Sequence, residues 1–163
     1  MSERLVIRAS RPDEAGVVFD LVRELAVYEK LDAPQFFHLT PADVARDFYG
    51  ADRKVQADIA LFDGETVGVC LWYRTYSSFR AATGIFLEDV FVRETHRGHG
   101  IGKAFFAHLA RIAAQEGGAR IDWSVLDWNE KAIGFYRSMG AAPHDGWTYY
   151  RLQGEPLKAL ATA

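Results

Sequence analysis

The stretch FVRETHRGHGIGKAFF, residues 91–106, collects the residue types of an anion-binding turn. Gly98, Gly100 and Gly102 let the backbone turn so that several N–H groups face one way. Helix-forming residues follow, and a helix N-terminus adds partial positive charge. Arg97 and Lys103 bring full positive charges to the same place. The spacing excludes two familiar nucleotide loops. G-x-G-x-x-G requires glycine at 103, where Lys103 stands. G-x-x-x-x-G-K-[ST], aligned on Gly102 and Lys103, meets Arg97 and Ala104 where glycine and a hydroxyl are needed. What remains is R-G-x-G-I-G between a strand and a helix.

Immediately upstream, IFLEDVFV places Glu88 and Asp89 in an apolar run. Two carboxyl groups are costly there without partners, so a functional role is expected for at least one. Regular alternation along a strand sends neighbours to opposite faces. Only one of the pair should therefore face a substrate.

The elements that must position these groups alternate in type. RLVIR reads as a first strand. SRPDEAGVVFDLVRELAVYEK reads as a helix with Ser10 as cap, Pro12 in the first turn, and an apolar stripe of Val18, Leu21, Val22 and Leu25. Thr40, Pro41 and Asp43 repeat the start signal for a second helix. VQADIALF alternates like a half-buried strand, Asp63-Gly64 signals a hairpin, and TVGVCLWYRTY returns. After a turn at YSSFRAATG comes the strand IFLEDVFV. The helix after the glycines presents Ile101, Phe105, Leu109 and Ile112 and stops at Gly117-Gly118. ARIDWSVL is a strand, NEKAIGFYRSMG a helix capped by Asn129 and stopped by Gly140, and GWTYYRL a final strand. The predicted order is β-α-α-β-β-β-α-β-α-β. Hairpins in the middle and a strand-helix-strand crossover later imply a mixed α/β sheet with helices on both faces.

The bulk properties narrow the classes. At 163 residues the chain is read as a single domain, 1–163, with a sizeable core. Hydrophobic residues at 49% and charged residues at 25% are ordinary for a globular protein. A net charge of −3 offers no general field for nucleic acid. No run approaches the roughly 18 apolar residues of a membrane span, and MSERLVIRAS lacks the apolar run of a secretion signal. Cys70 is the sole cysteine, so no internal disulfide forms, which points to the cytoplasm. Lying in TVGVCLWY, it reads as an inert core thiol.

RGHGIG resembles the pyrophosphate loop of the GNAT superfamily, Q/R-x-x-G-x-G/A, with the first position at Thr95 or Arg97. ELAVYEK, LWYRTYSSF, FLEDVFV, VLDWNEKAIGFYRSMGA and DGW, in that order, are similar to its diamine and thialysine N-acetyltransferases. The resemblance implies the GNAT fold, acetyl-CoA as cosubstrate and direct transfer to a small primary amine in a ternary complex. It also implies a homodimer, and no metal is expected. In such a reaction a base must take a proton from the ammonium before the amine can attack, and by resemblance that base is Glu88. Tyr136 is the matching general acid, since a phenol titrates near 10 and holds its proton at neutral pH. Backbone groups of Val90, Phe91 and Val92 would polarise the thioester and pair with the pantetheine arm. Arg97, Gly98, His99, Gly100, Ile101, Gly102 and Lys103 would hold the pyrophosphate. Asn129, Glu130, Lys131 and Ala132 would contact CoA. The amine pocket would comprise Tyr28, Glu29, Glu88, Asp122, Trp123, Ser124 and Asp145.

One departure bears on the substrate. Diamine acetylases of this family carry an aspartate and a tryptophan after the Thr-Tyr pair, where TYSSFR offers Ser77 and Phe79. Loss of that acid favours an amine with an amino-acid end, such as thialysine or a lysine-like compound. The competing readings are a protein, peptide or aminoglycoside acceptor, and a non-catalytic acyl-CoA-binding module.

Overall fold

Four strands of five or more residues and one short run build a single mixed sheet in the computed structural model, which describes residues 5–118 and 120–163. The strands are β1 (Leu5–Ala9), β2 (Gln56–Phe62), β3 (Glu65–Ser77), β4 (Ala82–Val92) and β5 (Ile121–Asp122), in spatial order β1-β2-β3-β4-β5. The first three junctions are antiparallel and β4–β5 is parallel, as the crossover requires. Asp63 and Gly64, at φ 49° and 87°, make the tight turn between β2 and β3. Arg4 and Ala119, which open two of the expected strands, lie outside the described residues.

The helices are α1 (Ala15–Tyr28), α2 (Pro41–Tyr49), α3 (Ile101–Gln115), α4 (Glu130–Ser138) and α5 (Glu155–Ala161). The chain forms two compact units, one running to Ser124 and the other from Val125 to Ala163. In the first unit helices cover both faces of the sheet. Val18, Leu21, Val22 and Leu25 of α1 pack with Val44 and Phe48 of α2 against Ala57, Ile59, Val69, Leu71 and Phe91. Burying each such side chain contributes about 1.5–3 kcal/mol. On the other face, a Cβ at Gly68 would lie 2.8 Å from the Phe91 carbonyl and 3.2 Å from the Phe105 ring. Glycine therefore lets α3 sit close to β3. Asp58, 4% exposed on that face, accepts hydrogen bonds from Trp72 Nε1 at 2.6 Å and pairs with His108 Nε2 of α3 at 3.2 Å. Burial pushes its pKa up, while the indole and imidazole partly offset this.

Caps explain the helix starts. Thr40 Oγ1 accepts from Asp43 N at 3.2 Å, and Asp43 Oδ2 accepts from Thr40 N at 2.9 Å. Asn129 Oδ1 accepts from Ala132 N at 3.2 Å. Gly117 and Gly140, at φ 69° and 88°, end α3 and α4 in the left-handed region that glycine tolerates. Cys70 is fully buried, and burial pushes its thiol pKa well up, as an inert thiol requires.

Several expectations need correction. Ser10 does not cap α1; its hydroxyl donates to Ala57 O at 2.7 Å and lies 2.7 Å from Tyr49 Oη, tying the chain to the sheet. A 3-10 turn over Pro12–Glu14 precedes α1, which ends at Tyr28 rather than at Lys30. On α3, Phe106 and Ala113 are buried and Ile112 only half so. The strand expected over ARIDWSVL shrinks to Ile121–Asp122, because it pairs only with Ile85 and Phe86 before β4 bends at an inserted residue. GWTYYRL forms no strand: its β-favouring side chains have no ladder partner among the described residues, and Trp147, Tyr149 and Tyr150 are exposed. A C-terminal helix, α5, was not expected.

Candidate active site

The centre of the site is a β-bulge. Leu71 pairs with Asp89 but Trp72 pairs with Leu87, so Glu88 is the extra residue on β4. The insertion reverses which residues share a face. Asp89 and Phe91 lie with Leu71 and Val69 on the α1 side, whereas Leu87 joins Trp72 on the α3 side. Simple alternation, which would separate Glu88 from Asp89, is thus broken where it was invoked. Beyond Phe86, β5 also leaves that edge of β4 without a ladder partner among the described residues, so the edge of Glu88–Val92 away from β3 can accept a strand-like ligand.

Three carboxyl groups converge here. Asp89 is half-buried; burial first, then the charges of Glu88 and Glu29, push its pKa up to about 7. Burial likewise raises Glu29, which follows the last turn of α1. Glu88 is exposed. A cation entering such a cluster relieves repulsion among its acids. In the sequence Asp89 was one of two acids expected to include a functional residue, and only Glu88 was assigned a role. The cluster's composition depends on the bulge and on the end of α1, neither of which leaves a local signal.

From the cluster β4 runs directly into the glycine loop. Gly98 and Gly100 take φ 84° and 76°, conformations that favour glycine, and a Cβ on either would meet nothing within 4 Å. The loop is therefore open on its outer side. Ala104 N donates to Gly100 O as the first bond of α3, leaving the N–H groups of Ile101, Gly102 and Lys103 without intrahelical acceptors. These features suit an anionic pyrophosphate. The loop is held from below: His99 Nδ1 lies 3.2 Å from His96 O, and the His99 ring lies 5.2 Å from that of buried Phe62. Arg97 donates from Nε to Val92 O at 2.9 Å, and its guanidinium carbon lies 4.7 Å from the Tyr28 ring centroid and 5.7 Å from that of Phe91. Lys103 is exposed on the first turn.

The other expected residues fall as follows. Asp122 pairs with Arg120 Nε at 3.0 Å, and Trp123 meets Phe106 edge-on at 4.9 Å. Ser124 ends the first unit. In the second unit Asn129 caps α4, so Glu130, Lys131 and Ala132 form its first turn. Tyr136 lies on α4 with its ring 5.5 Å from that of Phe135, and Asp145 is exposed. Among the described residues no group of side chains could hold a metal ion, and no helix is long and apolar enough to cross a membrane.

Known proteins are similar to this chain in sequence and in fold. Bovine thialysine N-epsilon-acetyltransferase is 32% identical over 168 residues, spanning 96% of this chain and 97% of the bovine protein. The L-ornithine N5-acetyltransferase NATA1 of Arabidopsis thaliana is 38% identical over 109 residues, 67% of this chain and 48% of the plant protein. An integron cassette protein from the mobile metagenome of V. cholerae superposes with a TM-score of 0.78 at 24% identity, covering 98% of each chain. The model of the acetyltransferase (GNAT) family matches residues 24–141, which include the acid cluster, the glycine loop and α4. The chain therefore belongs to the acetyltransferase (GNAT) family and is an N-acetyltransferase.

Proposed function

We propose that this enzyme transfers the acetyl group of acetyl-CoA directly, in a ternary complex, to the side-chain amine of a small amino acid of the thialysine or lysine kind. The observation that carries this reading is the cluster of Glu29, Glu88 and Asp89 on and beside the strand that enters the glycine loop. Acids suit a cationic acceptor, and the adjoining amides suit the cosubstrate's phosphates. Two relatives named for amino-acid amines, thialysine and ornithine, support the acceptor class. Ser77 and Phe79, standing where diamine acetylases carry an acid and a tryptophan, argue in the same direction.

In this mechanism the amides of Ile101–Lys103 hold the pyrophosphate, with Gly98, His99 and Gly100 shaping the turn, while Asn129, Glu130, Lys131 and Ala132 contact CoA. The edge of β4 at Val90–Val92 that has no ladder partner among the described residues pairs with the pantetheine arm, and its N–H groups stabilise charge on the thioester oxygen. Glu88 takes a proton from the bound ammonium. The freed lone pair attacks the thioester carbon, the C–S bond breaks, Tyr136 gives its proton to the leaving thiolate, and the tyrosinate regains a proton from the acetylated nitrogen, leaving the neutral amide. Glu29 and Asp89, ionised when the cation binds, balance its charge, and Tyr28, Asp122, Trp123, Ser124 and Asp145 are further amine-binding candidates. The family match crosses the boundary between the two compact units, which supports one catalytic domain over 1–163. We assign the enzyme to the cytoplasm, as its lone buried cysteine suggests, and to a homodimer, as the family resemblance implies.

Steady-state comparison of thialysine, lysine, ornithine, putrescine and spermidine tests the acceptor. The expected result is a higher kcat/KM for the amino acids than for the polyamines. A spermidine value far above the rest would overturn the choice, and acetylated peptide with no small-amine turnover would move the enzyme to a macromolecular acceptor.

A further inference from the structure

Tyr28 was expected in the amine pocket, yet its ring makes a contact of another kind. It ends α1 and packs partly against the core. The Arg97 guanidinium carbon lies 4.7 Å from its centroid, with the Phe91 ring on that cation at 5.7 Å and Arg97 Nε bonded to Val92 O at 2.9 Å. A cation flanked by two rings and bonded through Nε is held in place. We propose that Tyr28 is a positioning residue for the cosubstrate: through Arg97 it fixes the entry of the glycine loop, and so supports acetyl-CoA binding rather than amine binding alone.

The loop needs such an anchor. Gly98 and Gly100 have no side chains, and each residue ordered on binding carries an entropic penalty. The exit of the loop is fixed by α3, whose Ile101 is buried. Its entry has Arg97 as the residue directly before Gly98, and Arg97 is held by the Val92 carbonyl and the two rings. Phe91 belongs to the sheet core, whereas Tyr28 comes from α1. Glu29, one residue on, belongs to the acid cluster. The contact thus joins the two substrate regions within one unit.

This inference rests on the reading that the loop binds acetyl-CoA, and the test separates the two. Calorimetry measures the acetyl-CoA Kd with no amine present, for the wild type, Tyr28→Phe, Tyr28→Met, Arg97→Met and the double variant Tyr28→Met/Arg97→Met. The π face survives in Tyr28→Phe and is lost, with apolar volume kept, in Tyr28→Met. Expected results are a Kd within twofold of wild type for Tyr28→Phe and a Kd about 3–10-fold weaker for Tyr28→Met. Tyr28→Met should then add nothing when Arg97 is already Met. An unchanged Kd in Tyr28→Met, or the same loss with and without Arg97, overturns the proposal. A wild type that does not bind acetyl-CoA overturns the cosubstrate reading with it. Since Tyr28 touches the core, Arg97→Met supplies the second view: a Kd equal to wild type there also overturns the proposal without disturbing α1.

Discussion

Asp89 shows how far a single residue departs from its ordinary chemistry. Its carboxyl is pushed from 3.8 to about 7 by burial and by the charges of Glu88 and Glu29. Because the folded state favours the protonated form, Asp89 contributes its full stability below about pH 4 and loses it as pH rises toward 7. Stability measured by denaturant should therefore fall between those limits, by at most about 1.4 kcal/mol per pH unit from this group, and Asp89→Asn should flatten that fall. A slope unchanged in the variant would assign it to other groups. A cationic amine in the pocket favours the ionised acids, so its binding near pH 7 should release protons; calorimetry in buffers of different ionisation enthalpy reads the number. Tyr136→Phe should lower kcat by about 10²–10⁴-fold, the range for general acid catalysis, while leaving acetyl-CoA affinity near wild type. Undiminished turnover in that variant would remove Tyr136 from its proposed role.

At the scale of elements, period and punctuation carried most of the information. Asp63-Gly64, Thr40-Pro41, Asn129 and Gly117-Gly118 are local signals with local outcomes, and each lies where the sequence places it. The bulge at Glu88 was illegible because IFLEDVFV reads as an unbroken strand, and the insertion is defined only by the register against β3. β5 pairs only with Ile85 and Phe86, short of that insertion. GWTYYRL failed as a strand for a related reason: propensity describes a residue's fit to a ladder and does not supply the ladder. The glycine loop, by contrast, was legible, and its backbone adds a reason to the proposed role. Gly100→Val places a β-branched residue at φ 76° at the start of α3, a strain of roughly 1–2 kcal/mol. Its acetyl-CoA Kd should weaken by about tenfold or more, read by calorimetry. Leu21, fully buried in the α1 stripe, gives the contrasting case: Leu21→Ala should cost about 2–5 kcal/mol of stability in denaturant unfolding.

For the whole molecule, the alternation of strands and helices sufficed to identify a mixed sheet covered on both faces, since only a few topologies satisfy hairpins followed by a parallel crossover. Chemistry was less legible than fold. The resemblance named Glu88 and Tyr136, but the pairing of Tyr28 with Arg97 joins residues 28 and 97 through tertiary packing. The proposed homodimer predicts a sedimenting mass of twice 18.3 kDa at micromolar concentration, and a mass of one chain at all concentrations would exclude it. The central claim is acetyl transfer from acetyl-CoA to a small amine. It is tested most directly by following release of the CoA thiol with and without thialysine, with the mass of the product measured alongside. Amine-dependent release and a singly acetylated amine are the expected results. Tight acetyl-CoA binding with no release in the presence of any small amine would contradict it.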